Sequence, residues 1–341
     1  WWGKIRTSRD IAKNKTELEQ YRKTLSPGDI TLMGLITEGG QGLATANNGK
    51  FVGILSGTKL AENITLSRPK KLFQAIQADN IDELNFINNS NDAKAYLASK
   101  SEKEIWNIFD DLKEKYGRDI FGQGYLYRII TSEDIADPAL LKEKEKKAGI
   151  SGSRTFVPYD KGDRDGNRWF LKTPYYIDWS VSNVTFLYKY SGKKGKGMPV
   201  VRNPKFYFRE GFCWTDVNST YLKSRIKESG VHDVLSMSLF SVFSCISEIY
   251  LVLLINSKFI SEYVGTFINS TSHFQINDAR QLPVVIPSKD ELKNVEKIFS
   301  KALAIKQKEF SNTIDKDTAK RELDLIQKQV DDFVNELYGV D

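Results

Sequence analysis

The sequence predicts an α+β protein: a β-rich region carrying a helical insert, followed by a C-terminal antiparallel helix pair. Three patterns predict it. Apolar residues at Leu292, Val295, Phe299 and Ala302, and again at Leu323, Ile326, Val330, Phe333 and Leu337, step by three and four, with a polar stretch at 311–317 between the runs. Short apolar runs bounded by Gly, Pro, Asn and Asp fill residues 29–36, 154–217 and 282–287. Residues 68–117 show helical periodicity instead. The expected domain bounds are 1–287, with the insert at 68–117, and 288–341.

Each element has a local reason. Residues 29–36 read as a strand, and Glu38-Gly39-Gly40-Gln41-Gly42 is too glycine-rich to continue it. Residues 43–51 set Thr45, Asn47, Asn48 and Lys50 around Gly49. These turn formers either meet phosphates and base edges or close a surface turn through Asx bonds. In the insert, 70–78 and 81–87 are short amphipathic runs. Residues 101–116 carry Ile105, Ile108, Phe109 and Leu112 on one face, with Ser101 as N-cap and Gly117 as stop. Residues 126–131 form a short strand, and 140–148 a charged helix with a solvated face.

Further along, residues 156–159, 169–171, 183–190 and 205–214 are expected strands, with a turn at 160–167 and a mobile basic loop at 191–197. A β-like run at 234–245 passes into a helix around 247–255. Phe274-Gln275-Ile276 alternates, and Pro283 and Pro287 bracket a stiff extended connector. The closing helices then pair along a seam of near-heptad spacing.

Composition narrows the function. With 341 residues, 40% of them apolar, the chain suits two packed domains and is not wholly disordered. No apolar run approaches the roughly 18 residues of a membrane span; the longest, 249–255, reads as a buried helix or strand. Cys213 and Cys245 stand apart with no paired spacing, which suits a reducing cytoplasm, and the isolated His232 and His273 cannot build the common zinc sites. Trp1-Trp2-Gly3 is not a natural start, so the chain is expected to begin inside a longer polypeptide.

The charge is concentrated. Residues 151–211 hold twelve Lys and Arg against five acids, a local +7 in a chain of +6, together with thirteen aromatics. Cations interleaved with aromatics suit a phosphate-facing surface; the alternative is a β-rich domain with aromatic core residues and solvated charges.

Catalytic signatures are missing. There is no nucleophile elbow and no HExxH. Gly192 and Gly197 have the gap of a phosphate-binding loop, but Met198-Pro199 follows instead of Lys-Ser or Lys-Thr. Phe121-Gly122-Gln123-Gly124 has its glycines misplaced for a methyl-donor loop and reads as a turn. Asn203-Pro204 lacks the second proline of a flipped-adenine pocket, and Glu145-Lys146-Lys147 is a chance nuclease-like tripeptide in a lysine-rich helix. From the residues alone, the chain binds and does not catalyse.

Several stretches together resemble a known family. Residues 42–51 (Gly-Leu-Ala-Thr-Ala-Asn-Asn-Gly-Lys-Phe) resemble the opening motif of the C-terminal specificity region in large adenine-specific DNA methyltransferases. Such enzymes occur in type IIG restriction–modification and in BREX-type phage defence. Residues 156–162 (Phe-Val-Pro-Tyr-Asp-Lys-Gly), Arg168-Trp169-Phe170 and Tyr176-Ile177-Asp178-Trp179 are similar to the family's next segment. Residues 254–258, 272–277 and 281–284 resemble its run into the closing helices, and 330–339 its ending. The resemblance spans most of residues 30–340, in order. Ala46 stands where the family carries glycine, and the role of 68–117 is unassigned by it.

The resemblance implies a target-recognition region that reads a short sequence in double-stranded DNA, with no catalytic residue and no cofactor of its own. In the family, the adenine-N6 methyltransferase core and its S-adenosylmethionine site lie N-terminal. The chain is therefore expected to work with an N-terminal methyltransferase domain or subunit, in a parent protein with or without endonuclease activity. Under this reading Lys161, Arg164, Lys193, Lys194 and Lys196 grip phosphates. Arg168, Arg202, Asn47, Asn48, Gln275 and Asn277 read base edges, accompanied by Thr45, Lys50 and Ser272. The run 274–277 equally suits a core strand. Type I specificity subunits share the logic but usually carry two such units, and no internal repeat is present here. The other class of reading is a protein-interaction module that docks through the helix pair.

Overall fold

The computed structural model describes residues 2–79, 81–117, 119–121, 126–163, 166–195, 197–217 and 221–340. About 51% of the chain is helix and 16% strand, an α+β fold with several sheets and a C-terminal helix pair. The chain divides into two compact units, one of Trp1–Ala44, Asp160–Lys172 and Arg202–Asp341, the other of Thr45–Tyr159 and Thr173–Val201. The helix pair belongs to the first unit, so no division between the units falls at 287/288.

The first unit is built on an antiparallel sheet in the order Thr37–Gly40, Ser236–Ser241, Gly211–Thr215, Ser224–Lys227. Its register pairs Ser238 with both Gly40 and Cys213, and Cys213 with Arg225. Against the sheet lies the helix Glu248–Ile255, whose residues from Tyr250 to Ile255 are all buried. A helix apolar all round needs cover on every side. The helices Lys289–Phe310 and Lys316–Tyr338 supply it with Val295, Phe299, Ala302, Ile326, Val330 and Phe333, as their spacing predicts. The short connection between them makes the pair antiparallel. Asn256, just past the buried helix, completes the outer strand: its Oδ1 accepts from the Ser224 N–H at 2.7 Å and its Nδ2 donates to the Ser224 carbonyl at 2.9 Å. The expected extended connector is a strand, Pro283–Val285, laddered antiparallel with Ile30–Leu32. Among the described residues no single helix is long and apolar enough to cross a membrane.

In the second unit Val52–Leu55 pairs in parallel with Arg128–Ile130 and antiparallel with Tyr175–Asp178, which pairs antiparallel with 156–158. A parallel pair needs a crossover connection, and this is the place of the helical insert. Lys59–Asp79, Ser90–Ala98 and Glu102–Tyr116 carry the chain from one strand to the next around their own core of Leu72, Leu84, Leu97, Phe109 and Leu112. Ser101 caps the last of them in a capping box with Glu104, as expected.

Three expected strands are something else. Residues 183–190 lie in a helix, Val181–Tyr190, because Val184 and Leu187, one turn apart, both reach the interior. Residues 169–171 and 205–210 are not extended runs: Trp169, Asn203 and Phe208 take φ of 72°, 48° and 60°, which breaks a strand. Only Gly211–Thr215 of that second stretch is strand. Phe274 and Ile276 are both buried, which produces the alternation, but the chain turns at Gln275 into a one-turn helix, Ile276–Ala279.

Candidate nucleic-acid interface

In the second unit the helix Val181–Tyr190 joins two segments that are far apart in sequence. Phe186 and Tyr190, one helical turn apart, pack with centroids 4.5 Å apart and planes tilted by 35°. Phe51, at the end of the short helix Asn48–Phe51, lies 5.8 Å from Phe186 and extends the row. Cations line it. Lys50 Nζ is 5.5 Å from the Phe186 centroid, and Lys193 and Lys189 are 4.8 and 5.5 Å from that of Tyr190. The turn around Gly49 and the basic loop after Tyr190 thus meet on one aromatic row, with Lys189, Lys193 and Lys194 exposed. A ring face behind an ammonium group holds it without neutralising it, which leaves the charge for an outside anion.

Both segments are closed locally. In the basic loop the Gly192 N–H donates to the Pro199 carbonyl at 2.9 Å, and the Val201 N–H to Ser191 Oγ at 2.9 Å. Gly192, Gly195 and Gly197 take φ of 71°, 138° and 82°, which is what the glycines are for. In the other segment Thr45 is buried and its hydroxyl donates to Asn48 Oδ1, which shapes the turn. The Trp106 indole donates to the Gly49 carbonyl at 3.3 Å. Asn47, Asn48 and Lys50 are half-buried around it.

The remaining expected site residues belong to the first unit. Lys161 is mostly buried and lies 3.5 Å from Asp233 Oδ2. Arg168 donates to Gln327 Oε1 at 2.5 Å and lies over the Tyr221 ring at 5.4 Å. Burial holds its guanidinium below its ordinary range, against Tyr221, Asp331 and Asp324. It therefore ties the 160–172 segment to the last helix. Arg202 is half-buried, with an Nη1 that has no hydrogen-bond partner among the described residues. Ser272, Gln275 and Asn277 are exposed while Phe274 between them is core and takes the Trp214 indole N–H on its carbonyl at 2.7 Å. Asn277 Oδ1 accepts from Arg280 at 3.2 Å. Arg164, Lys196 and the glycines of 122–124 lie outside the described residues.

Beneath residues 160–163 runs a buried ionic network that sequence reading missed. Arg225 donates to Asp160 Oδ1 at 2.9 Å and to the Lys161 carbonyl at 3.1 Å, and the Ser236 hydroxyl donates to Asp160 Oδ2 at 2.5 Å. Burial alone raises the Asp160 carboxyl; Arg225 and Ser236 outweigh it and hold it below the usual range. Burial pushes Lys227 down to about 8, where it donates to the Arg209 carbonyl at 2.8 Å. Burial and the Lys227 charge bring His232 down to about 3. The signal for this network is Ser224-Arg-Ile-Lys227: two cations in a short strand, when buried, need partners. No group of metal-ligating side chains occurs among the described residues.

No family model matches the chain, and no curated protein matches it.

Proposed function

We propose that the chain recognises double-stranded DNA, as the sequence-reading region of an adenine-N6 methyltransferase of the type IIG restriction–modification or BREX-type defence kind. The observation that carries this reading is the row Phe51–Phe186–Tyr190 with Lys50, Lys189 and Lys193 along it. It unites the two segments that residue chemistry and family resemblance single out separately. In this reading the lysines, with Lys194, contact phosphates and release counterions, and Asn47 and Asn48 beside them reach base edges. Gln275 and Asn277, exposed on the first unit, are the other base-reading candidates. Flipping and methylating the adenine is the work of the N-terminal domain or partner subunit with its S-adenosylmethionine. The seam of the C-terminal helix pair supports this reading over the docking one, because its apolar residues are buried in the core of their own unit.

The test is duplex binding across a KCl series with the full chain. Wild type should bind all duplexes weakly and its cognate sequence more tightly. Lys50→Ala/Lys193→Ala/Lys194→Ala should weaken binding to every sequence and lower the salt slope by about 0.9 for each phosphate no longer neutralised. Failure of the wild-type chain to bind any duplex at low salt overturns the reading.

A further inference from the structure

Residues 202–210 of the first unit carry two more cations, Lys205 and Arg209, on an aromatic support that the row in the second unit does not include. Phe206 and Phe240 stack at 5.1 Å with their planes 14° apart. The Arg209 guanidinium lies over both rings, 4.8 Å from Phe240 and 5.4 Å from Phe206, and Lys205 Nζ lies 4.6 Å from Phe206. Behind them the buried Lys227 sits 5.0 Å from Phe240 and donates to the Arg209 carbonyl. Lys205 is 59% exposed, with Glu38 3.5 Å away as its one ion-pair partner among the described residues.

The loop is held in shape before any ligand arrives. Asn203 and Phe208 sit in the left-handed region, a conformation that costs a non-glycine residue energy and persists where the surroundings impose it. Asn203 Nδ2 donates to the Gln41 carbonyl at 2.9 Å, the Phe208 N–H to the Gly230 carbonyl at 2.7 Å, and the Tyr207 hydroxyl to the Arg202 carbonyl at 3.0 Å. A flat guanidinium held over two rings matches the oxygens of a phosphodiester, and a rigid loop loses little freedom on binding.

We infer that residues 202–210 form a second backbone-contacting element, in which Arg209 and Lys205 bind DNA phosphates independently of the lysine row. This rests on the duplex-DNA reading above and adds to it a phosphate grip supplied by the other unit.

The experiment is fluorescence anisotropy with labelled duplexes of several sequences over a KCl series. It compares the wild-type chain, Lys205→Ala/Arg209→Gln, and the triple lysine variant of the second unit. Lys205→Ala/Arg209→Gln should weaken binding to all sequences alike, by about tenfold, and lower the salt slope by about 0.9 for each phosphate no longer neutralised. Lys205→Glu, at an exposed position, should weaken binding in the same sequence-independent way, and decides the matter if Arg209→Gln perturbs folding as read by circular dichroism. Wild-type affinity and slope in both variants, while the lysine-row variant is weakened, overturn the second phosphate grip alone. Weakening confined to one sequence also overturns it, since phosphates carry no sequence. If the wild-type chain binds no duplex, the DNA reading falls and this grip with it.

Discussion

Gly42 and His232 approach so closely that a Cβ on Gly42 would stand 1.8 Å from the His232 carbonyl oxygen and 2.5 Å from its carbon. The neighbouring Leu43 N–H donates to the same carbonyl at 2.8 Å, so the approach is part of a backbone pairing and cannot relax by a side-chain turn. Gly42→Ala is expected to cost more than ~3 kcal/mol, or to abolish folding, as urea denaturation or the yield of folded protein would read.

Four residues on, the opposite substitution should help. Ala46 takes φ of 54°, in the left-handed region that glycine adopts freely. An L-residue there costs roughly 1–2 kcal/mol, and the greater freedom of glycine in the unfolded chain returns about 0.4–1 kcal/mol of it. Ala46→Gly should therefore stabilise the chain by roughly 0.5–1 kcal/mol, visible as a higher denaturation midpoint.

His232 gives the stability an acid limb. Its Nε2–H donates to the Gly40 carbonyl at 3.2 Å, while its Nδ1 is buried with no partner among the described residues. A second proton would stand on that nitrogen, near the Lys227 charge, and burial brings the group down to about 3 from 6.5. Between those values the unfolded chain holds a proton that the folded chain does not, so stability falls as pH drops from 6.5 toward 3 and is indifferent to this group above 6.5. His232→Gln should remove up to about 1.4 kcal/mol per pH unit from that slope. Equal slopes in the two proteins between pH 6 and 4, in urea melts, would count against it.

The crossover helices are pinned by a buried arginine and its partly exposed carboxylate partner. Arg68, 3% exposed, donates to both Glu102 oxygens at 2.7 and 2.6 Å and to the Tyr127 carbonyl at 2.8 Å, and Glu102 also takes the Ile129 N–H at 2.8 Å. Glu102→Ala leaves a buried cation beside a strand end and should cost about 3–5 kcal/mol. Arg68→Met/Glu102→Leu together should cost clearly less than Glu102→Ala alone. A double-mutant cycle by thermal melting reads the coupling.

What could be read in advance follows from which forces are local. The closing helices were legible because Val295, Phe299, Ile326, Val330 and Phe333 bury one stripe of otherwise polar helices. Ser101 and Glu104 announce a helix start by themselves. Residues 183–190 were not legible: Val184, Thr185, Phe186 and Tyr188 favour strands, and tertiary burial of Val184 and Leu187 overrides that preference. The helix is what forms the aromatic row. In a strand Phe186 and Tyr190 stand about 13 Å apart, too far to stack; in a helix they are about 6 Å apart along the axis and touch. The Arg225–Asp160 network was invisible for another reason, since its partners come from separate segments that only the fold brings together. The crossover role of 68–117 likewise depends on Arg128–Ile130 returning parallel to Val52–Leu55, which no local pattern encodes.

The ladder between Ile30–Leu32 and Pro283–Val285 imposes an order on the chain as the ribosome makes it. The second unit lies wholly between residues 45 and 201, so it has all its pieces while Ile30–Leu32 still waits. The first unit, begun earliest, closes only when Val284 and the helices after it have emerged. Until then Thr31 and Leu32 are an open edge, and that interval is when the nascent chain is most exposed to mispairing.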